Sequence, residues 1–261
     1  MKLRTLASGS SGNCILISAH GGHVLVDCGI SCKRITAALA AFGVEPRDLR
    51  GILITHEHSD HISGLATLTK TLSLPVYASP GTARQLLRRM VWPDGLLRPV
   101  EPGEPFQVGP FEVTAFPIPH DAEEPTGFTL TCEGRTAAIA TDLGYVSDGV
   151  LDGVSGSHLV VCESNHDVAW LRACRYPYHL KARILSDTGH LSNDACATLA
   201  LQCVEAGART VLLAHLSHEN NTPQHARSAA EVVLRGAGVD PDRDMTLAVA
   251  PRSEPSPWYE V

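Results

Sequence analysis

The chain has 261 residues, 44% apolar and 19% charged, a balance that excludes a disordered or collagen-like polymer and permits a sizeable core. Its formal charge of −7 excludes a basic field spread over the whole molecule, so any contact with nucleic acid must be local, and bound cations stand outside that sum. No stretch approaches a membrane span, and "MKLRTLASGSSGNC" lacks the apolar centre of an export signal. Together these predict a cytoplasmic protein whose eight cysteines are buried thiols and not a disulfide frame.

Three strand-like segments come first, "KLRTLAS", "CILISAH" and "HVLVDCG", separated by the turns "GSSGN" and "HGG". "SCKRITAALAAFGV" has helical spacing and stops at Gly43. "LRGILITHEH" reads as a short buried strand, "HISGLATLTKTLS" as a helix, "PVYAS" as a strand and "PGTARQLLRRMV" as a helix. A Pro/Gly-rich stretch from Trp92 to Pro105 leads into the hairpin-like "FQVGPFEVTAFPIPH". The strands "TGFTLTCEG", "RTAAIATDLG" and "SHLVVCESNHD" follow, then the helix "DACATLALQCVEAG", the strand "RTVLLAHLS" and the closing helix "TPQHARSAAEVVLRGAG". Strands and helices thus alternate in two similar series. That predicts an α/β chain of two packed sheets with helices outside, a four-layer αββα arrangement. No repeat or linker divides the series, so residues 1–261 are read as one domain.

Directly after an apolar run, "ILITHEHSDHISG" packs His56, His58, Asp60 and His61 into six positions. Such groups are costly where a strand ends in a core, and their spacing suits two adjacent cations better than one. Further candidate ligands stand at the ends of other apolar strands: His120 after "FPIP", Asp142 after "AAIAT" and His215 after "VLLA". A lone strand-end histidine is often merely hydrogen-bonded, but this recurrence argues for one shared site.

In these positions the sequence resembles the metallo-β-lactamase superfamily, and the likeness covers nearly the whole chain. It implies an αββα sandwich with the metal site at one edge of the sheets. It assigns His56, His58 and His120 to one ion, Asp60, His61 and His215 to a second, and Asp142 to both, with a hydroxide shared between them. Keeping both Asp60 and Asp142 points away from lactam hydrolysis and toward phosphodiesters or thioesters, with Asp60 counted among the catalytic groups. Nitrogen and oxygen donors without thiolate suit manganese, zinc or iron.

Shorter segments, "LASGSSGN", "ESNHD", "GHLSN" and "HLSHENN", look together like the YycJ/WalJ group of bacterial exonucleases acting on DNA. That likeness implies a metal-dependent phosphodiesterase, in particular a 5′-to-3′ exonuclease working at duplex DNA ends. The stretch between Asp142 and His215 is too short for the large insertion of RNase J-type nucleases. A departing sugar oxygen needs a proton from outside the metal shell, and His190 in "DTGHLSN" is the candidate. Similarity to tRNase Z supports that role and implies that Glu163 orients it.

Candidate substrate contacts are Ser10, Ser11 and Asn13 in the glycine-rich turn, Asn165 and His166, and the cations Lys181 and Arg183 of "WLRACRYPYHLKAR", where aromatic residues alternate with positive charge. The same stretch reads equally as a helix with a solvated face. Three alternatives stay open: a thioesterase like glyoxalase II, a hydrolase of small cyclic phosphodiesters, and a non-catalytic, metal-stabilised partner in a signalling or repair assembly. Sequence leaves the oligomeric state unread.

Overall fold

The computed structural model describes residues 1–261. In chain order the elements are β1 (Lys2–Ala7), β2 (Cys14–Ala19), β3 (Gly22–Val26), α1 (Cys32–Ala41), β4 (Leu49–Leu53), α2 (Ser59–Ile62), α3 (Leu65–Leu72), β5 (Val76–Ala78), α4 (Pro80–Arg89) and β6 (Leu97–Pro99). The second series is β7 (Pro105–Val108), β8 (Phe111–Pro117), β9 (Thr126–Cys132), β10 (Arg135–Ala140), α5 (Asp148–Val154), β11 (Leu159–Glu163), α6 (Val168–Ala173), α7 (Tyr178–Ile184), α8 (Asn193–Glu205), β12 (Thr210–Ala214), α9 (Pro223–Gly236), β13 (Thr246–Val249) and β14 (Tyr259–Glu260).

Two seven-stranded sheets result, ordered β14-β1-β2-β3-β4-β5-β6 and β13-β12-β11-β10-β9-β8-β7. In each, antiparallel hairpins lead into parallel strands: β3 to β6 in the first sheet, β10 to β13 in the second. The parallel strands carry unbroken apolar runs, such as "VLLA" in β12 and "LVVC" in β11, because both of their faces are covered. Between the sheets lie Leu3, Val26, Leu53, Phe111, Phe128 and Leu212. Ile35, Leu39, Leu65 and Leu86 seal the outer face of the first sheet, and Val150, Leu199, Ala230 and Leu234 that of the second. Three apolar seams between four layers are the αββα sandwich expected from the alternation.

Several elements differ from expectation. The helix anticipated across residues 61–73 is broken into α2 and α3 at Ser63–Gly64, where the Gly64 N–H donates to the Cys28 carbonyl. A side chain at Gly64 would come within 2.1 Å of the Ile30 carbonyl, so the close approach requires glycine. The short strands β6, β13 and β14 and the helix α5 have no strong pattern in sequence; α5, "DGVLDGV", holds two glycines. Residues 170–183 form not one helix but parts of α6 and α7, parted by residues 174–177. All eight cysteines are free thiols. No helix is long and apolar enough to cross a membrane.

Candidate metal centre

The carboxyl ends of the parallel strands open on one edge, the usual place for a ligand in an open α/β sheet. Asp27 follows β3, His56 follows β4, Asp142 follows β10, Glu163 ends β11 and His215 follows β12. Asp27, Asp142 and His215 have φ of 61°, 64° and 55°, a left-handed backbone that non-glycine residues adopt at a cost of about 1–3 kcal/mol each. Three such residues meeting at one edge turn their side chains inward as the strands end. His58 is the N-cap of α2, whose first turn carries Asp60 and His61. Asn13 anchors that turn, its backbone N–H donating to the Asp60 carbonyl at 2.8 Å.

Each imidazole is aimed by what its other nitrogen contacts. His61 Nδ1 lies 2.7 Å from Asp27, His215 Nδ1 2.8 Å from Glu163, His120 Nδ1 3.0 Å from the Gly189 carbonyl and His56 Nδ1 3.0 Å from Thr55 Oγ1. All four therefore turn Nε2 toward the centre, an arrangement typical of metal-ligating histidines. His58 is reversed: its Nδ1 approaches His120 Nε2 at 3.3 Å, and its Nε2 faces Asp121 at 3.8 Å. Candidate donor atoms fall within 4.8 Å of one another in overlapping groups: His56 with His58 and His120, Asp60 with His61 and His215, and His56 with His61 and Asp142. Asp142 lies between the first two groups, 3.3 Å from His61 Nε2 and 3.8 Å from His120 Nε2.

His56 Nε2, His215 Nε2 and Asp142 Oδ2 are buried with no hydrogen-bond partner, an arrangement that costs stability unless a cation completes it. Burial opposes charge on His215, but Asp142, the Asp60 carboxylate 3.7 Å away and the hydrogen-bonded Glu163 overcome it and push the imidazole up to about 10. His61 is likewise held well above its ordinary value, against burial, by Asp142 and Asp27. Asp142 is kept well below the carboxylate range, against burial, by His215 and His61. Burial and then His61 depress His56, so it is a neutral donor. The centre thus attracts positive charge while offering nitrogen and oxygen lone pairs. Divalent cations fit this donor set.

His190 borders the cluster, its ring centroid 5.2 Å from those of both His120 and His215. Glu163 Oε1 accepts from His190 Nδ1 at 2.8 Å, which leaves Nε2 free to face a reacting group. The other Glu163 oxygen accepts the backbone N–H groups of Leu143 and Leu191, at 2.6 and 3.1 Å. Burial alone would raise Glu163, yet His190 and His215 pull it down to about 2.

The candidate substrate contacts are more dispersed. Ser10 and Ser11 are exposed at the tip of their turn, whereas Asn13 is buried beneath it. Asn165 donates to the His215 carbonyl at 2.9 Å and so supports that candidate ligand's loop. His166 is buried with neither ring nitrogen paired. Lys181 donates to the Arg172 and Cys174 carbonyls, 2.7 Å each, and joins α7 to α6. Arg183 pairs with Asp121 at 2.5 Å on the rim, and Asp121 lies 3.4 Å from His120. Asp27, Thr55 and Asp121 were missed in the sequence. For Asp27 a signal was present: a carboxylate directly after an apolar strand, as at Asp142.

Comparison with known proteins bears on this geometry. The chain is 39% identical over 236 residues to exodeoxyribonuclease YycJ of Bacillus anthracis, spanning 89% of each chain. It is 37% identical over 246 residues to exodeoxyribonuclease WalJ of Streptococcus pneumoniae, spanning 92% of this chain and 91% of that one. The crystal structure of the metallo-beta-lactamase fold protein YhfI from Bacillus subtilis aligns with a TM-score of 0.71 at 18% identity, over 98% of this chain and 99% of that one, which speaks to the fold alone. The model of the metallo-beta-lactamase superfamily matches residues 7–215, the span that contains every candidate ligand. The chain belongs to the metallo-β-lactamase superfamily.

Proposed function

We propose that residues 1–261 act as one hydrolase domain, a metal-dependent phosphodiesterase that degrades DNA as a 5′-to-3′ exonuclease. The observation that carries this reading is the pairing of two adjoining donor groups with an imidazole, His190, whose Nε2 is free beside them. His56, His58 and His120 would hold one divalent ion, Asp60, His61 and His215 a second, and Asp142 would serve both. Manganese and zinc suit these donors best, and iron also fits. Bound ions supply Lewis acidity to a phosphate and lower the pKa of the attacking water.

The chain's own groups supply the rest. Glu163 accepts from His190 Nδ1 and, against burial, favours the imidazolium, whose Nε2–H is the proton that a departing sugar oxygen needs. Arg183 stands on the rim where a phosphate could draw it from Asp121, and Ser10 and Ser11 expose hydroxyls on the turn that Asn13 ties to Asp60. DNA as substrate is supported by relatives named as exodeoxyribonucleases at 37–39% identity over about nine-tenths of the chain.

The test is elemental analysis, followed by assays of 5′- and 3′-labelled duplex DNA with each metal restored and a glutathione thioester run alongside. Two ions per chain and stepwise loss of nucleotides from the 5′ end are expected. Thioester cleavage without DNA cleavage would replace the nuclease reading with that of a thioesterase.

A further inference from the structure

Beside the metal centre, between α5, α6 and α8, lies a cavity of about 460 Å³. His190 belongs to its wall, as do Gly144 and Tyr145, which follow Asp142 by two and three residues. The cavity and the reacting centre therefore share a boundary. Its volume falls in the range of small-molecule sites, roughly 300–1,000 Å³.

The lining determines what could enter. Leu151, Val168, Leu185 and Leu199 make it largely aliphatic, and no lysine, arginine, aspartate or glutamate contributes. A phosphate would find no counter-charge there, whereas a neutral, flat, partly polar group would lose little on leaving water. Tyr145 is 48% exposed at this cavity and offers an aromatic face. His166 also lines it, buried, with both ring nitrogens lacking a partner, so one imidazole can give one hydrogen bond and accept another. Ser192, Thr198 and Gln202 add neutral polar groups. Aliphatic walls, one exposed ring and several uncharged donors and acceptors match a nucleobase.

We propose that this cavity is the subsite for the nucleoside that departs when the phosphodiester is cut. The inference rests on the phosphodiesterase reading, because it takes direction from His190: the oxygen protonated by His190 belongs to the departing nucleoside, which must then lie on the His190 side of the phosphate. The cavity has His190 in its wall. A second cavity shares Leu185 with the first and is lined by Tyr176 and Tyr178, the latter 86% exposed, so aromatic surface continues outward from the pocket.

Two arms separate the pocket from the chemistry. In the first, deoxyadenosine and 2-deoxyribose are titrated into the protein and followed by backbone NMR shifts. Deoxyadenosine should perturb residues 144–146 and 191–199 while 2-deoxyribose leaves them unmoved, and Ala195→Phe, which fills the cavity, should weaken binding at least tenfold. Thr198→Trp, from an exposed position on the same wall, gives the same readout should Ala195→Phe fold poorly. In the second arm, an oligonucleotide whose terminal residue is abasic should show at least a tenfold lower kcat/KM than its intact counterpart, and Ala195→Phe should erase that difference. Equal response to base and sugar, binding unaltered by both variants, or an abasic end cut as fast as an intact one would overturn the pocket. Deoxyadenosine binding in the cavity without cleavage of DNA under any restored metal would instead overturn the nuclease reading.

Discussion

Glu163 Oε1 lies 2.8 Å from His215 Nδ1 and equally close to His190 Nδ1, so one buried carboxylate oxygen aims both a metal-ligand candidate and the proposed proton donor. Its partner oxygen is filled by the Leu143 and Leu191 N–H groups. Every lone-pair direction faces a donor. Glu163→Gln is therefore not conservative: whichever way the amide turns, its NH2 meets N–H donors or forces both imidazoles to the other tautomer. An unmet buried group costs roughly 1–3 kcal/mol. The variant should melt at a lower temperature, bind metal 10–100-fold more weakly and lose turnover together with affinity. Unchanged metal affinity in a calorimetric titration would show that the carboxylate does not position His215.

His190→Ala removes the proposed proton donor and leaves the Glu163–His215 contact in place. Two ions should still bind, while kcat on DNA falls by about 10²–10⁴-fold. Substrates with a good leaving group, such as nitrophenyl diesters, should be far less affected, because their oxygen departs unprotonated. A loss shared equally by both substrates would place His190 in a structural role.

The two donor groups are braced differently, and this predicts an order of metal binding. His61 and His215 lean on the carboxylates of Asp27 and Glu163, and their group includes Asp60; His56 and His120 lean on a hydroxyl and a carbonyl. Charged braces raise ligand basicity, so the Asp60–His61–His215 group should fill first and more tightly. Titration should resolve two steps, and Asp27→Ala should weaken the tighter one by about 10–100-fold. A single step, or loss confined to the weaker one, would contradict this asymmetry.

The layers were legible in the sequence because strand and helix periods are local: β2, α8 and α9 lie within a residue or two of where their patterns put them, while β4 and β12 begin where expected and end earlier. The cluster at residues 56–61 was legible because costly groups follow an apolar run. Partners that act through a single hydrogen bond left weaker traces. Asp27 is one carboxylate among many, and nothing in "PIPHDA" or "HLKAR" announces that Asp121 meets Arg183. Charge counting marked Lys181 as a phosphate contact, but backbone carbonyls receive two of its hydrogen bonds, and no sequence pattern displays carbonyl directions. The cavity beside His190 is assembled from segments between residues 144 and 202, so only the tertiary structure shows it.

Arg183→Ala should act on substrate encounter and leave the fold intact. The Arg183–Asp121 pair is half-exposed, and such pairs contribute at most about 1 kcal/mol to stability. Raised KM for DNA, a nearly constant kcat and a salt dependence shallower by about one phosphate contact are expected. A lowered kcat with KM unchanged would move Arg183 from the approach to the reaction itself.

Metal affinity should depend steeply on pH. His61 and His215 are both held above their ordinary values by neighbouring carboxylates, His215 to about 10, so near neutrality the metal-free centre carries protons on both. An ion can use those Nε2 atoms only after the protons leave. Affinity for the Asp60–His61–His215 group therefore rises with pH toward about 10 and falls on acidification. Titrations at pH 6, 7 and 8, in buffers of different ionisation enthalpy, should find protons released as that group takes up an ion at neutral pH. Affinity flat across that range, with no proton release, would mean these imidazoles are not the ligands.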